Sequence, residues 1–287
     1  MAINKIVYVL STNYAGSHFT VLQLASHSKC ISAGELHRFD LQKRKAKQAC
    51  HICESDETCP VFHGLRGLPL GDLHPRLFAN IAEAFPNVDT LIDNSKKTAW
   101  AEKLLRMPGI EQKYLHVIRD PRALVRRWMM NYDTSSEKRK VRYIMMRRVK
   151  RHIWNIMTGS EANVYAWKWV HQNRLITDFL HEHQLDHKVY LYDELVFEPD
   201  RALSEIMRWV GHDFEPAQTE YWNFVHHGSQ KPEYMKPPSS DKVRFDTRWR
   251  DYLDPQTQRE IVDHPGIGEY LAEMALEFSD SGLSRIS

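Results

Sequence analysis

The N-terminus narrows the choice of folds more than any other part of this chain. There the apolar, β-branched run IVYVL (residues 6–10) leads through the polar turn STNYAGSH into apolar residues at helical spacing, Phe19, Val21, Leu22 and Leu24. A continuous apolar run of this length suits a parallel strand buried on both faces. The helix behind it suits packing on a sheet. Between them, the turn would aim a helix N-terminus at an anion, although it carries no Lys or Arg.

The same alternation recurs along the chain. CISAGELHRF (residues 30–39) reads as a second, shorter extended piece. A helix is predicted over residues 75–85, with Pro75 in a favourable first-turn position. A strand follows over residues 88–94, a helix over 97–107, a strand over 113–119, and a helix after the turn DPR. This β-α-β-α-β order implies parallel strands joined by right-handed helical crossovers. Residues 134–183 are helical in pattern, with a break at Gly159 and Ser160. A further strand is predicted over residues 188–195, then a helix closing at Gly211, and a last helix over 265–278. No internal repeat or second domain boundary is visible. The expectation is one α/β domain over residues 1–287, with a central parallel β-sheet flanked by helices. It carries a cysteine-containing insertion at residues 40–70 and a helical insertion at 134–185.

Composition excludes little beyond extremes. The 287 residues are 42% hydrophobic and 26% charged, with a net charge of +2, which suits a globular protein and does not argue for a nucleic-acid partner. No stretch approaches the ~20 apolar residues of a membrane span. The N-terminal apolar run is too short for a signal peptide, so the sequence reads as cytoplasmic.

Three polar turns each follow a predicted strand: STNYAGSH, DNSKK after the strand at Val88, and RDPR after the strand at Lys113. In an open parallel sheet such turns share the carboxyl edge, where ligands bind. Each offers amides, hydroxyls or cations to a common anion. Taken in order, these pieces resemble the PAPS-dependent sulfotransferases, in particular the bacterial and carbohydrate-type branch. The aligned residues of the first loop, which in that family grips the 5′-phosphosulfate, are Tyr14, Ala15, Gly16, Ser17 and His18, preceded by Asn13. The family's GEL segment is Gly34, Glu35 and Leu36. Its D-S-S-K turn is Asp93, Asn94, Ser95 and Lys96, and its 3′-phosphate segment is VIRDPRALVRRW, led by Arg119. YLYDELVFEPDRALSEIMRWVG and the late HHGSQKPEY…FDTRWRDYL, with Gly228 and Trp249, continue the likeness, which covers residues 6 to about 253. A cysteine-rich insertion also occurs in some bacterial members.

The resemblance implies a P-loop-nucleotide-hydrolase-like sulfotransferase fold. It further implies transfer of a sulfuryl group from 3′-phosphoadenosine 5′-phosphosulfate (PAPS) to a hydroxyl or amine, with release of PAP and no catalytic metal. The acceptor would be a small molecule or a glycan, acidic in character if the basic helix described below attracts it. The donor would be held by Asn13, Tyr14, Ala15, Gly16, Ser17, His18, Lys96, Arg119, Arg127, Tyr192 and Lys231. Two departures stand out. Tyr14 occupies the family's basic position, which leaves the grip to amides, Ser17, the helix dipole and His18, with Lys96 as the nearby cation. Arg127 replaces a Ser, which either strengthens a 3′-phosphate clamp or points to another ligand or to lost activity. Sulfuryl transfer rests on positioning and on stabilising charge on equatorial and leaving oxygens. A base must also take the acceptor's proton. Glu35 in GEL is the first candidate for that base, with His37 and His18 as alternatives. Each candidate also has an ordinary structural reading: Ser17 as a helix cap, Arg119 as an ion-pair partner, Tyr192 as a core aromatic.

Two further features remain. Cys50, Cys53, Cys59 and His63 form C-x2-C-x5-C-x3-H, with His51 as a substitute. The first spacing suits a metal knuckle, while the short second one leaves zinc, a disulfide and free thiols all open. KRKVRYIMMRRVKR (residues 138–151) holds eight basic residues. It reads as a solvated helical face with Ile144 and Met145 inward, as a rim for an acidic acceptor, or as a membrane-surface contact. Against the sulfotransferase reading stand a nucleotide kinase and a non-catalytic module, with or without zinc, that uses the basic helix to bind nucleic acid or another polyanion. The kinase is disfavoured because no G-x4-G-K-[ST] exists.

Overall fold

A computed structural model describes residues 3–38, 49–228 and 247–286. Lys231 therefore lies outside the described residues. The centre is a five-stranded parallel sheet built from β1 (Lys5–Ser11), β2 (Cys30–Ser32), β3 (Thr90–Lys96), β4 (Glu111–Ile118) and β5 (His187–Leu191), in the order β2-β3-β1-β4-β5. It bears out the predicted α/β class, with helices on both faces.

β1 lies in the middle because both of its faces are apolar. Ile6, Tyr8 and Leu10 pack on one side, with Leu77, Ile81 and Trp100. Val7 and Val9 pack on the other, with Val21, Leu24, Ile206 and Val210. The strand order also reverses at β1: the chain passes from β1 to the edge strand β2, comes back to β3 beside β1, then crosses to place β4 on the opposite side of β1. Such a reversal opens a crevice outside the carboxyl ends of the strands.

The helices are α1 (Ser17–Ala25), α2 (Leu70–Ala84), α3 (Thr98–Glu102), α4 (Pro121–Asn131), α5 (Ser135–Arg148), α6 (Ile153–Thr158), α7 (Glu161–Glu182), α8 (Tyr192–Phe197), α9 (Pro199–Val210), α10 (Trp249–Tyr252), α11 (Pro255–Val262) and α12 (Pro265–Glu273). The break at Gly159 and Ser160 falls between α6 and α7, where the Ser160 side chain caps α7 by accepting from Asn163 N. No helix among the described residues is long and apolar enough to cross a membrane.

Several predicted boundaries move. α2 starts at Leu70, so Pro75 sits in its second turn and not its first. α3 stops at Glu102. Arg106 adopts left-handed backbone at φ 59, and Pro108 restricts the residue before it, so the helix does not reach Met107. The strand predicted to run to Leu195 ends at Leu191, because the Glu194 carboxylate accepts from Leu191 N at 3.1 Å and starts α8. α12 ends at Glu273. Ala275 then turns with φ 52 into the antiparallel hairpin of β6 (Leu276–Phe278) and β7 (Leu283–Arg285).

Candidate functional site

The first loop of the site is the turn between β1 and α1. Gly16 caps α1 at φ 94, and no side chain hydrogen-bonds into the cap. The N-terminus of α1 thereby faces the loop, and the first turn of a helix carries amides with no partner inside the helix. A Cβ on Gly16 would come within 2.1 Å of the Tyr192 ring, so glycine lets the loop close against that ring. Tyr14 also takes a left-handed conformation, at φ 73.

Two arginines from neighbouring elements stand beside this loop, which carries no basic residue of its own. Arg119, at the end of β4, donates from Nη1 to the Tyr14 carbonyl at 2.8 Å. Its guanidinium also lies 4.3 Å over the Tyr192 ring. Arg127 on α4 stands 5.2 Å over the exposed ring of Tyr14. Two guanidinium groups therefore flank the loop at the position where sequence alone shows no cation. The second arginine of RDPR plays a structural part. Arg122 makes hydrogen bonds of 3.0 and 2.7 Å to the Asp120 carboxylate and stacks 4.0 Å over Trp249. Trp249 thus supports the turn from behind. Trp169 Nε1 holds the backbone from α7 by donating to the Arg119 carbonyl at 2.9 Å.

A bulge at the end of β3 brings in the third element. Tyr8 pairs with Asp93 and Leu10 with Lys96, so β3 advances three residues against two on β1. Bulges of this kind re-aim side chains beside functional sites. Asp93 organises the turn: its carboxylate accepts from Ser95 N at 2.7 Å, from the Ser95 hydroxyl, and from Trp100 Nε1 at 2.7 Å. Burial pushes Asp93 up to about 6 despite these donors. Asn94 N donates to the Gly34 carbonyl at 2.9 Å, and Ser95 Oγ accepts from His37 N at 3.1 Å. The GEL segment is thereby fastened to the end of β3.

This fastening brings the three predicted catalytic residues together. Lys96 Nζ donates to Glu35 Oε1 at 2.7 Å and to His18 Nδ1 at 3.1 Å. Because an ammonium only donates, Nδ1 of His18 is the acceptor and the ring proton sits on Nε2. Arg38 pairs with the other carboxylate oxygen of Glu35. Burial acts to raise the Glu35 carboxyl, but the charge and hydrogen bond of Lys96 together with Arg38 outweigh it and hold it at about 2. Burial, followed by the nearby Lys96, pushes His18 down to about 4. Burial and then Lys97 do the same to His37, also to about 4. Both imidazoles are neutral at physiological pH.

Sequence reasoning missed Arg38, which shares Glu35, and the organising role of Asp93. It also missed Thr12 Oγ1 and the Asn94 side-chain amide, which belong to two of these turns and are buried with no hydrogen-bond partner among the described residues. Orphaned polar groups at strand-end turns are a structural signal that no residue pattern carries.

Two other predicted features resolve differently. Ile144 on α5 is exposed, while Met145 is buried. Part of the basic run is structural: Arg142 donates to the Gly159 carbonyl at 2.8 Å and to the Ile156 carbonyl, closing the C-terminal end of α6. Lys138 pairs with Glu161 at 2.8 Å. A cleft of about 250 Å³ between α5 and α7 is lined by Lys138, Arg139, Arg142, Glu161, Val164 and Tyr165 among others. Its Tyr165 stacks on Tyr132, which follows directly on α4, the helix that carries Arg127. Among the cysteine-rich residues, His63 is not the fourth member of the cluster, since its Nδ1 faces the Cys59 carbonyl at 3.1 Å. His227 takes that place, with its Nδ1 at 3.6, 3.6 and 3.5 Å from the sulfurs of Cys50, Cys53 and Cys59.

No family model and no curated protein sequence matches the chain. Solved structures do. The sulfotransferase domain from the curacin biosynthetic pathway superposes with a TM-score of 0.53 at 17% identity, over 92% of this chain and 98% of that one. The sulfotransferase domain from the Synechococcus PCC 7002 olefin synthase gives 0.53 at 17% identity, over 91% and 94%. With its parallel sheet and its strand-end turns, this chain has the sulfotransferase fold.

Proposed function

We propose that the protein is a sulfotransferase that moves the sulfuryl group of PAPS to a hydroxyl or amine acceptor and releases PAP. The observation that carries this reading is the meeting of three strand-end turns at the carboxyl edge of the sheet: the β1–α1 turn at the N-terminus of α1, Lys96 from the β3 bulge, and Arg119 just past β4. On this reading the α1 amides and Ser17 hold the 5′-phosphosulfate, while Asn13, Tyr14 and Ala15 shape the loop. Arg119 and Arg127 receive the 3′-phosphate, and Tyr192 forms the wall beside the nucleotide.

The chemistry follows from the triangle of Lys96, Glu35 and His18. The acceptor oxygen or nitrogen forms a bond to sulfur as the bond from sulfur to the bridging phosphate oxygen breaks, and the acceptor's proton passes to Glu35. Lys96 neutralises the charge that grows on the leaving oxygen. Held at about 2 by its partners, Glu35 is a weak base while it pairs with Lys96. An anionic donor draws Lys96 toward itself. Glu35 then loses its main counter-charge, and burial pushes its affinity for a proton up toward the useful range. Donor binding would thus switch on the base.

The basic cleft between α5 and α7 suits the charged part of an acidic acceptor such as a carboxylated or sulfated glycan. The test is incubation with PAPS and panels of glycan, phenol and amine acceptors, following PAP release. Acceptor-dependent PAP formation that needs no Mg²⁺ is expected. Turnover of ATP–Mg²⁺ in its place would overturn the reading in favour of a kinase.

A further inference from the structure

We propose that Cys50, Cys53, Cys59 and His227 bind one structural zinc ion, and that this ion fastens the backbone on which Glu35 stands. The four ligand atoms all lie within 4.8 Å of one another. More telling are the three separations from Nδ1 of His227 to the sulfurs, 3.6, 3.6 and 3.5 Å. A neutral imidazole nitrogen has one proton or one lone pair, so it cannot hydrogen-bond to three sulfurs at once. A tetrahedral ion with Zn–S of about 2.3 Å and Zn–N of about 2.0 Å has S···N edges of about 3.5 Å. The three edges from His227 to the sulfurs therefore match those of a tetrahedral zinc site, and the sulfurs lie within 4.8 Å of one another.

The surroundings fit a closed structural site. Cys50 and Cys59 are fully buried, and His227 is nearly so. Cys53 N points at Cys50 Sγ at 3.4 Å, the arrangement of a C-x2-C knuckle. The Asp56 carboxylate accepts from Ala49 N at 2.7 Å and from Cys50 N at 2.9 Å, and it pairs with Arg66. Four protein ligands fill a tetrahedron and leave no place for a reacting water, which marks a structural and not a catalytic ion. Sulfur and imidazole donors select zinc over the harder magnesium and calcium. A disulfide would pair only two of the three cysteines and would leave the equal approach of His227 unexplained.

The ion joins two distant stretches, residues 50–59 and residue 227, and its consequence lies one residue further on. Gly228 accepts at its carbonyl from His51 N at 3.1 Å. It lies so close to Gly34 that a Cβ on it would stand 3.4 Å from Gly34 Cα and N. Gly34 precedes Glu35 and accepts from Asn94 N at 2.9 Å. Zinc, Gly228, Gly34 and the end of β3 thus form a continuous packed path to the carboxylate.

The test is metal analysis of the full chain, purified under reducing conditions, together with substitution by Co²⁺. One zinc per chain is expected in the wild type and in His63→Ala, and loss of most of it in His227→Ala. Co²⁺ should give thiolate charge-transfer and tetrahedral d–d bands on the wild-type chain, a readout that holds even if His227→Ala fails to fold. A wild type without zinc and without these bands overturns the site, as does zinc loss in His63→Ala equal to that in His227→Ala. Hydrogen exchange measures the second half of the claim. Chelation should speed exchange at residues 33–36 as well as at 49–59, while β4 stays protected. Unchanged exchange at 33–36 would overturn the link to Glu35. None of these readouts depends on sulfuryl transfer.

Discussion

Glu35 shows how one side chain can be held in reserve. Its low proton affinity comes from Lys96 and Arg38, not from exposure to water, since the side chain is mostly buried. Its carboxyl falls from the ordinary 4.5 to about 2 on folding. The contribution to stability is therefore fully present above about pH 4.5 and is lost as the pH falls through about 2. Urea unfolding of wild type and Glu35→Gln should differ most near neutrality, with the difference shrinking toward pH 2. A difference that does not change with pH would contradict the ion-pair origin of the shift. The same variant should turn over PAPS about 10²- to 10⁴-fold more slowly, the usual worth of a positioned base, with its PAP affinity nearly unchanged. The sequence pointed to Glu35 through the resemblance of GEL. That Lys96 would restrain it could not be read there, because the pairing depends on a one-residue bulge in β3.

Among the elements, the β1–α1 turn determines the site. Gly16 is held in a left-handed conformation against the Tyr192 ring, and either condition alone would disfavour a side chain. Gly16→Ala should cost about 1 to 3 kcal/mol of stability from backbone strain and overpacking, measured by urea unfolding, and should weaken PAP binding as the loop shifts. Neutral stability would mean that the loop does not close on Tyr192. Most elements were readable because burial on two faces leaves continuous apolar strands and one-faced burial leaves helical stripes. The misplaced boundaries share one kind of cause. Arg106 and Ala275 adopt left-handed backbone without being glycine, and the start of α8 depends on a cap from Glu194. Such choices are made by local hydrogen bonds and packing, which periodicity does not record.

Across the molecule, the fold gathers what the sequence scatters. Residues 16, 35, 96, 119 and 192 come to one edge of the sheet because the strand order reverses at β1, and arginines more than 100 positions away flank the first loop, which has no cation of its own. His227 joins Cys50 across 177 positions, a partnership invisible to a search for short metal motifs, which favoured the nearer His63. A donor site for a 3′-phosphorylated nucleotide underlies every functional statement above. Calorimetric titration of the full chain with PAP, beside ADP, which lacks the 3′-phosphate, tests it without any knowledge of the acceptor. Micromolar or tighter binding of PAP is expected, with at least about tenfold weaker binding of ADP, and loss of that difference in Arg119→Ala. Equal affinities for PAP and ADP, or no binding of PAP at millimolar concentration, would contradict such a site.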